Sequence, residues 1–231
     1  MPLSLESRRV GDITVVTCSG RIVEGAESIA LQRLLDELLQ DGPYLILHLG
    51  GVDFIDSSGL GLLARYTTRT RHAHGALKLC ALTPRIADVL KITHLDRIFE
   101  AHETEADAIT AFYQRAGSGT GTARLRTDIL SVDASMDMQA YVRELMGQAG
   151  YGVLTAGNLP DALTLLQATQ PKLVIISPEL HAARGTQSAE TFNRLADALA
   201  VIELPADFSR REAGEAGHRL LDQVRALGLN S

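Results

Sequence analysis

The hydrophobic pattern of the first half of the chain switches repeatedly between a strand-like and a helix-like period. Residues 3–10 and 13–19 are predicted as two strands, joined at a Gly-Asp pair that favours a hairpin. Residues 25–41 carry apolar side chains at helical spacing with polar residues between them. The later strands are predicted at 44–49, 77–82 and 98–102, and the later helices at 60–73, 84–91 and 105–115. This alternation predicts an α/β domain whose helices cover one face of the sheet.

A second α/β pattern begins at Arg124. Its strands are predicted at 129–133, 150–156 and 171–176, and its helices at 136–147, 158–168 and 211–227. Because the strands are almost continuously apolar, they are expected to be buried on both faces. The order of strands and helices therefore predicts a parallel sheet with right-handed crossovers.

A segment of Gly, Ser and Thr separates the two patterns. Its glycines do not have the spacing of a phosphate-binding loop, and no predicted strand leads into it. A flexible linker is the better interpretation. The chain is therefore divided into a first domain at 1–116, a linker at 117–123 and a second domain at 124–231.

Charge and composition narrow the classes of function. The formal net charge of −6 is shared equally between the two halves, so a direct nucleic-acid partner is not expected. No apolar run reaches membrane-spanning length and the start lacks a signal-peptide pattern, which predicts a cytoplasmic protein with no membrane partner. The two cysteines, Cys18 and Cys80, fall in predicted strands without metal-ligand spacing. No metal or other cofactor is expected.

The candidate chemistry lies where the strand at 44–49 gives way to a helix. Ser58 is predicted to cap that helix, and the hydroxyl of Ser57, one residue earlier, is expected to project towards solvent. A phosphate on Ser57 would meet the positive end of the helix dipole, while Asp56 would repel it and rearrange the loop. The competing interpretation is ordinary turn and cap chemistry, which uses the same residue types.

The block at 54–61, Phe-Ile-Asp-Ser-Ser-Gly-Leu-Gly, resembles the signature of bacterial anti-sigma factor antagonists, the STAS domain family. The resemblance covers residues 3–115 and implies a STAS-like mixed sheet with helices. In that family a partner serine kinase, which is also the anti-sigma factor, phosphorylates the serine after the aspartate, and that serine is Ser57 here. Many members of the family carry an acidic residue shortly after the pair that corresponds to Gly20 and Arg21, and Glu24 is the acidic residue near that position here. The partner-binding residues that the resemblance implies are Asp56, Ser58, Gly59 and Glu24.

The second half, over 128–228, resembles the receiver domain of two-component response regulators, a flavodoxin-like fold that here lacks its last unit. Receivers accept phosphate on an aspartate after the third strand, where this chain has Ser177. They also hold Mg²⁺ with paired acids after the first strand, where Asp133 is followed by Ala134. The resemblance implies a pseudo-receiver with a degenerate phosphotransfer site. A generic α/β scaffold without receiver ancestry remains the alternative.

Three functions follow from these features. The leading hypothesis is a non-enzymatic anti-sigma factor antagonist, which binds an anti-sigma factor/serine kinase when unphosphorylated and is released by phosphorylation of Ser57. The second is a scaffold subunit of a sensory complex, in which the pseudo-receiver supplies dimer contacts and no phosphate cycle occurs. A homodimer, or docking on the first domain, would cover the edge of the shortened sheet. The third hypothesis is an enzyme with Ser57 as nucleophile. The sequence around Ser57 lacks the Gly-x-Ser-x-Gly nucleophile elbow, and it positions no histidine nearby as a base.

Overall fold

The computed structural model describes residues 1–115, 127–183, 185–205 and 213–228. The chain divides into two compact units, Met1–Ala123 and Arg124–Ser231. The segment predicted as a linker, 117–123, lies outside the described residues. Each unit has its own sheet, so the two are described separately.

The first unit contains a mixed sheet of five strands in the order β1-β2-β3-β4-β5. The β1–β2 pair is antiparallel and the other three pairs are parallel. The strands are β1 Ser4–Val10, β2 Ile13–Ile22, β3 Tyr44–Ile55, β4 Ala76–Cys80 and β5 Glu100–His102. The helices are α1 Ala26–Asp41, α2 Ser57–His72, α3 Pro84–Ile92 and α4 Glu105–Arg115, with a 3-10 turn at Leu95–Arg97. The α/β fold and its mixed sheet agree with the prediction.

The two faces of this sheet are covered by different helices. Leu45, Leu47 and Leu49 of β3 alternate onto the face that shares a core with α1, α2 and α3. Lys78 of β4 points to the other face, where its Nζ lies 4.8 Å from the centroid of the Phe112 ring in α4. The prediction of helices on one face only is therefore corrected, because α4 covers the opposite face.

Strand β3 continues six residues beyond its predicted end. The prediction stopped at Leu49 because Gly50 and Gly51 weaken a strand pattern. In the structure β2 has a register shift between Thr17 and Ser19, and Ser19 then pairs with Gly51. A Cβ on Gly51 would lie 2.3 Å from the Ser19 Oγ, so the missing side chain is what lets the two strands stay paired. The longer β3 ends at Ile55, so a single residue separates it from the start of α2.

The second unit contains a parallel sheet of four strands in the order β7-β6-β8-β9. The strands are β6 Ile129–Val132, β7 Val153–Ala156, β8 Leu173–Ile176 and β9 Ala200–Glu203. The helices are α5 Met136–Gln148, α6 Leu159–Thr169, α7 Pro178–His181, α8 Gln187–Ala196 and α9 Ala213–Ala226. The parallel sheet was predicted, whereas α7 and α8 were not.

Helices lie on both faces of the second sheet. One face is a core in which Ile129 and Leu173 of the sheet pack with Val142 of α5 and Val224 of α9. Helix α9 approaches α5 closely, since a Cβ on Gly217 would lie 2.3 Å from the Tyr141 hydroxyl oxygen. On the other face α6 packs against α8. This arrangement explains why β6 and β8 are buried on both faces, whereas the edge strand β9 alternates between half-buried and exposed residues.

Both cysteines are free and buried in the first unit. Burial raises the pKa of the Cys18 thiol, and that of the Cys80 thiol, to about 12. Because the thiolate is the reactive form, neither residue is an effective nucleophile at neutral pH. Cys18 lies in β2 and Cys80 in β4, so the prediction that both fall in strands is confirmed.

We expect Glu100→Gln to destabilise the first unit, because Lys78 is only 1% exposed and forms an ion pair with Glu100 across the β4–β5 register. Removing the carboxylate leaves a buried positive charge without that partner, at a cost of about 3 kcal/mol. The double variant with Lys78→Met should recover most of the loss. Hydrogen exchange of the β4 amides measures the free energy of opening, and equal values for Glu100→Gln and wild type would contradict the prediction.

Candidate functional site

One residue, Asp56, connects the end of β3 to the start of α2. Its carboxylate accepts two backbone hydrogen bonds, one from the Gly59 amide to Oδ1 and one from the Glu24 amide to Oδ2, both at 2.8 Å. Its own amide donates to the Ile22 carbonyl oxygen at 3.2 Å. Asp56 therefore ties together the first turn of α2, the end of β2 and the turn that leads into α1.

These hydrogen bonds keep the Asp56 carboxylate ionised. The donor from Gly59 is the largest cause, followed by the donor from Glu24, and together they lower the pKa of Asp56 below its usual value of 3.8. The group is at the positive end of the α2 dipole, which favours the same ionised form. A negative charge is thus fixed immediately before Ser57.

Asp56, and not Ser58, is the N-cap of α2, which corrects the prediction for that position. The helix begins at Ser57, three residues before its predicted start. Both Asp and Ser are good N-cap residues, so the local sequence allowed either choice. The extended β3 decides it, because the strand carries Asp56 to the point where the helix begins.

Ser57 is the first residue of α2 and is exposed, as predicted. Within the part of the chain that the structure describes, its hydroxyl has no hydrogen-bond partner. Ser58, the next residue, is half-buried. An incoming group can therefore reach the Ser57 oxygen without first displacing a protein contact.

Gly59 and Gly61 serve different purposes in the first two turns of α2. A Cβ on Gly59 would lie 2.7 Å from the Ile22 carbonyl oxygen, so this glycine permits α2 to start close to β2. A Cβ on Gly61 would meet nothing within 4 Å. Because Gly61 is four residues after Ser57, it lies on the same helix face and leaves open space beside the hydroxyl.

Glu24 occupies the turn between β2 and α1, and its side chain is exposed. Its amide is the donor to Asp56, so the turn is positioned by its backbone and its carboxylate is left facing solvent. Gly25 follows with a φ of 117°, a backbone conformation that favours glycine. The structure thus brings Glu24, Asp56, Ser57 and Gly59 together at one end of the sheet.

Two arginines that the sequence did not single out as site residues lie at this same end. The guanidinium carbon of Arg21 lies over the Phe54 ring at 5.0 Å from its centroid, and that of Arg85 lies over the same ring at 5.3 Å. Arg21 belongs to β2 and Arg85 to α3, so they are far apart along the chain. The signal was present, since both fall in stretches that resemble the family, but only the tertiary structure places them on one ring.

In the second unit, Asp133 and Ser177 follow neighbouring parallel strands and lie at the same sheet edge. Val132 pairs with Ile176, and the Ser177 amide donates to the Val132 carbonyl oxygen at 3.0 Å. Both residues are buried. The structure therefore brings together the two positions that the sequence assigned to a degenerate receiver site.

Burial dominates the electrostatics of Asp133. It raises the pKa of Asp133 above its usual value, and the nearby Glu179 carboxylate acts in the same direction. The amide of Ser135 donates to Oδ1 at 2.7 Å and partly opposes this shift.

No group of three or more His, Cys, Asp and Glu side chains within the described ranges is arranged to hold a metal ion. None of the described helices is long and apolar enough to cross a bilayer.

Residues 4–108 match the family model of the STAS domain. A Bordetella bronchiseptica protein, BtrV, named as a candidate anti-sigma factor antagonist, is 28% identical over 102 residues, which cover 44% of this chain and 88% of that protein. The anti-sigma F factor antagonist of Paenibacillus polymyxa is 27% identical over 113 residues, which cover 48% of this chain and 95% of that protein. The first unit thus contains a STAS domain with anti-sigma factor antagonist homologues.

Solved structures of similar proteins cover the same share of the chain. The crystal structure of a candidate anti-sigma factor antagonist from Thermotoga maritima has 23% identity and a TM-score of 0.44, and covers 47% of this chain and 93% of its own. The crystal structure of an anti-sigma factor antagonist from Mycobacterium paratuberculosis has 27% identity and a TM-score of 0.44. It covers 48% of this chain and 93% of its own.

We expect Asp56→Ala to loosen the start of α2 by about 1 kcal/mol at pH 7, because it removes the N-cap acceptor. The amides of Gly59 and Glu24 should exchange faster with solvent, and amides of the second unit should not change. Because folding lowers the pKa of Asp56, its stabilising effect is complete above the usual value of 3.8 and is lost as the pH falls through the lowered value. Wild type and variant should therefore converge in acid, and a difference that persisted there would count against this role.

Proposed function

We propose that this protein is an anti-sigma factor antagonist whose first unit binds an anti-sigma factor/serine kinase and is released when that partner phosphorylates Ser57. The observation that carries the proposal is the exposed hydroxyl of Ser57 at the first residue of α2, next to the anchored carboxylate of Asp56. The names of the relatives support the choice of partner class.

The surroundings of Ser57 suit a kinase that must reach its oxygen. Gly61 leaves open space on the same face of α2, so the approach is not blocked by the next turn of the helix. The free hydroxyl needs no rearrangement before it accepts a phosphate. These two features support a modification site at a contact surface.

A phosphate on Ser57 would act on the partner surface through charge. It adds about 1.5 to 2 negative charges at neutral pH, beside a carboxylate that is already ionised. The amides at the start of α2 favour the phosphate, while Asp56 repels it. Because Asp56 also holds the Glu24 amide, a displaced carboxylate would disturb the β2–α1 turn as well. Phosphorylation would then alter Ser57, Ser58, Gly59 and Glu24 together.

In this proposal the protein is a substrate and a ligand of its partner, and it is not an enzyme. A serine nucleophile needs a base within hydrogen-bond reach. Among the residues that the structure describes, no histidine or carboxylate accepts a hydrogen bond from Ser57. The function requires no cofactor of its own.

For the second unit we propose a pseudo-receiver of flavodoxin-like fold. The strand order β7-β6-β8-β9 corresponds to the first four strands of the 2-1-3-4-5 order of that fold. Asp133 and Ser177 lie at the carboxyl ends of its strands, where such folds place their chemistry. A serine cannot form the acyl phosphate of a receiver, so this unit would act by protein contact, including a homodimer.

The Ser57 proposal predicts a phosphate on one peptide of the protein recovered from its native cells. Trypsin should release residues 34–65, in which the only hydroxyl side chains are Tyr44, Ser57 and Ser58. Fragmentation between Ser57 and Ser58 should assign the phosphate to Ser57. A peptide that remained unmodified under conditions where the anti-sigma factor is active would count against the proposal.

Binding should follow the charge at this position. Ser57→Ala should stay bound to the anti-sigma factor captured with it, and Ser57→Asp should bind at least about tenfold more weakly. Aspartate at a first helical position is compatible with the helix dipole, so the loss would not reflect unfolding. Ser7→Asp is the matched control, since it adds the same charge at an exposed serine in the middle of β1 and should leave binding unchanged. Equal binding of Ser57→Asp and wild type would overturn the proposal. A large assembly whose size does not change when Ser57 is substituted would favour the scaffold hypothesis.

The pseudo-receiver proposal predicts that the second unit cannot take phosphate from a small acyl phosphate. The full chain treated with acetyl phosphate and Mg²⁺ should gain no phosphate on peptides from residues 127–228, because Ser177 replaces the acceptor aspartate and Asp133 is the only acid directly after β6. Intact-mass and peptide measurements check this, and an authentic receiver domain serves as the positive control. A hydroxylamine-labile phosphate on this unit would show that its phosphotransfer chemistry survives.

A further inference from the structure

The Phe54 ring and the two guanidinium groups over it form a feature that the phosphorylation of Ser57 does not use. We call these three residues, Arg21, Phe54 and Arg85, the arginine clamp. Both guanidinium carbons lie close to one ring centroid, at 5.0 and 5.3 Å, so they are no more than about 10 Å apart. Two like charges are therefore held near each other on the surface of an acidic protein.

The clamp has no counterion in the described parts of the chain. Neither Arg21 nor Arg85 forms an ion pair or a hydrogen bond there, although both side chains are exposed and Asp53 is the direct neighbour of Phe54. Other arginines of the same unit behave differently: Arg8 pairs with Glu105, and Arg69 pairs with Asp36. The guanidinium N–H groups of the clamp are thus available to an external acceptor.

The position of the clamp is fixed by the fold. Arg21 and Phe54 are register partners in β2 and β3. Thr83, the N-cap of α3, donates its hydroxyl to the Val52 carbonyl oxygen at 3.2 Å and so holds the start of α3, with Arg85, beside β3. A guanidinium that stacks on an aromatic ring uses its face for the contact and keeps its edge donors free. Little side-chain freedom then remains to be lost when an oxyanion binds.

We propose that the arginine clamp is a carboxylate-binding site that receives an acidic segment of the partner protein. This deepens the proposed function and rests on it, because the clamp lies at the end of the sheet that carries Ser57. Arg21 is followed by Ile22, whose carbonyl oxygen accepts the Asp56 amide at 3.2 Å. The planar guanidinium fork matches the two oxygens of a carboxylate, and two forks suit two neighbouring acidic side chains.

A phosphate on Ser57 is a less suitable occupant. It would lie at the positive end of the α2 dipole, which already offsets part of its charge. The partner that docks before phosphorylation must instead approach a surface without that phosphate. Its acidic side chains would then supply the anions that offset the two guanidinium charges.

The test uses the full chain and a defined probe, acetylated hexaglutamate, with NMR signals of the arginine side chains and the Phe54 ring as the readout. We expect saturable shifts at Arg21, Phe54 and Arg85 that weaken as salt is raised. Arg21→Ala and Arg85→Ala should each reduce the affinity about threefold to fivefold. Arg9→Ala is the matched control, since Arg9 pairs with Thr14 at the opposite end of the sheet. Unchanged amide signals elsewhere confirm that the variants are folded.

Three outcomes would overturn the assignment. They are equal shifts with hexaglutamine, hexaglutamate binding that survives both arginine substitutions, and tighter binding of phosphoserine amide than of hexaglutamate at the same side chains. The Ser57 experiments are separate from these measurements. If hexaglutamate does not bind the arginine clamp but partner binding still depends on the phosphate, the proposed function stands and only the clamp assignment is overturned. If hexaglutamate binds the clamp but Ser57 carries no phosphate, only the proposed function is overturned.

Discussion

The first unit depends on the two backbone hydrogen bonds that the Asp56 carboxylate accepts. They come from Gly59 in α2 and from Glu24 in the turn before α1, so one side chain fixes the relative positions of segments separated by more than 30 residues. A charged acceptor is stronger here than a neutral one, and both donors would otherwise need water. The exposed position of Ser57 is a consequence, because the cap forces the next residue to begin the helix at the surface.

The same geometric rule organises the chemistry of both units. Parallel strands carry their carboxyl ends to one edge of a sheet, and the residues that follow them meet there. In the first unit the ends of β2 and β3 lie at this edge. In the second unit Asp133 and Ser177, which follow β6 and β8, lie at the corresponding edge. The two edges differ in exposure: Ser57 is open to solvent, whereas Asp133 and Ser177 are buried. A group from solvent can therefore reach the Ser57 side chain, whereas the side chains of Asp133 and Ser177 are shielded from it.

Charge is distributed in the first unit according to burial. Lys78, which is inside, has Glu100 as its partner across β4 and β5, because an unpaired buried charge would be costly. Arg21 and Arg85, which are outside, share an aromatic ring and have no acidic partner in the described ranges. A solvated cation tolerates that state at little cost, and it is then free to bind something else.

The sequence by itself determined the alternation of strands and helices, the second parallel sheet and the exposed Ser57, because hydrophobic periodicity and cap residues act over a few positions along the chain. Tertiary structure decided three further features. The pairing of Gly51 with Ser19 continues β3 past two glycines, so the N-cap of α2 is Asp56 and not the predicted Ser58. Tertiary structure also placed α4 on the second face of the sheet, and it brought Arg21 and Arg85 to one ring. Each of these depends on contacts between residues distant in sequence, and local patterns do not contain that information.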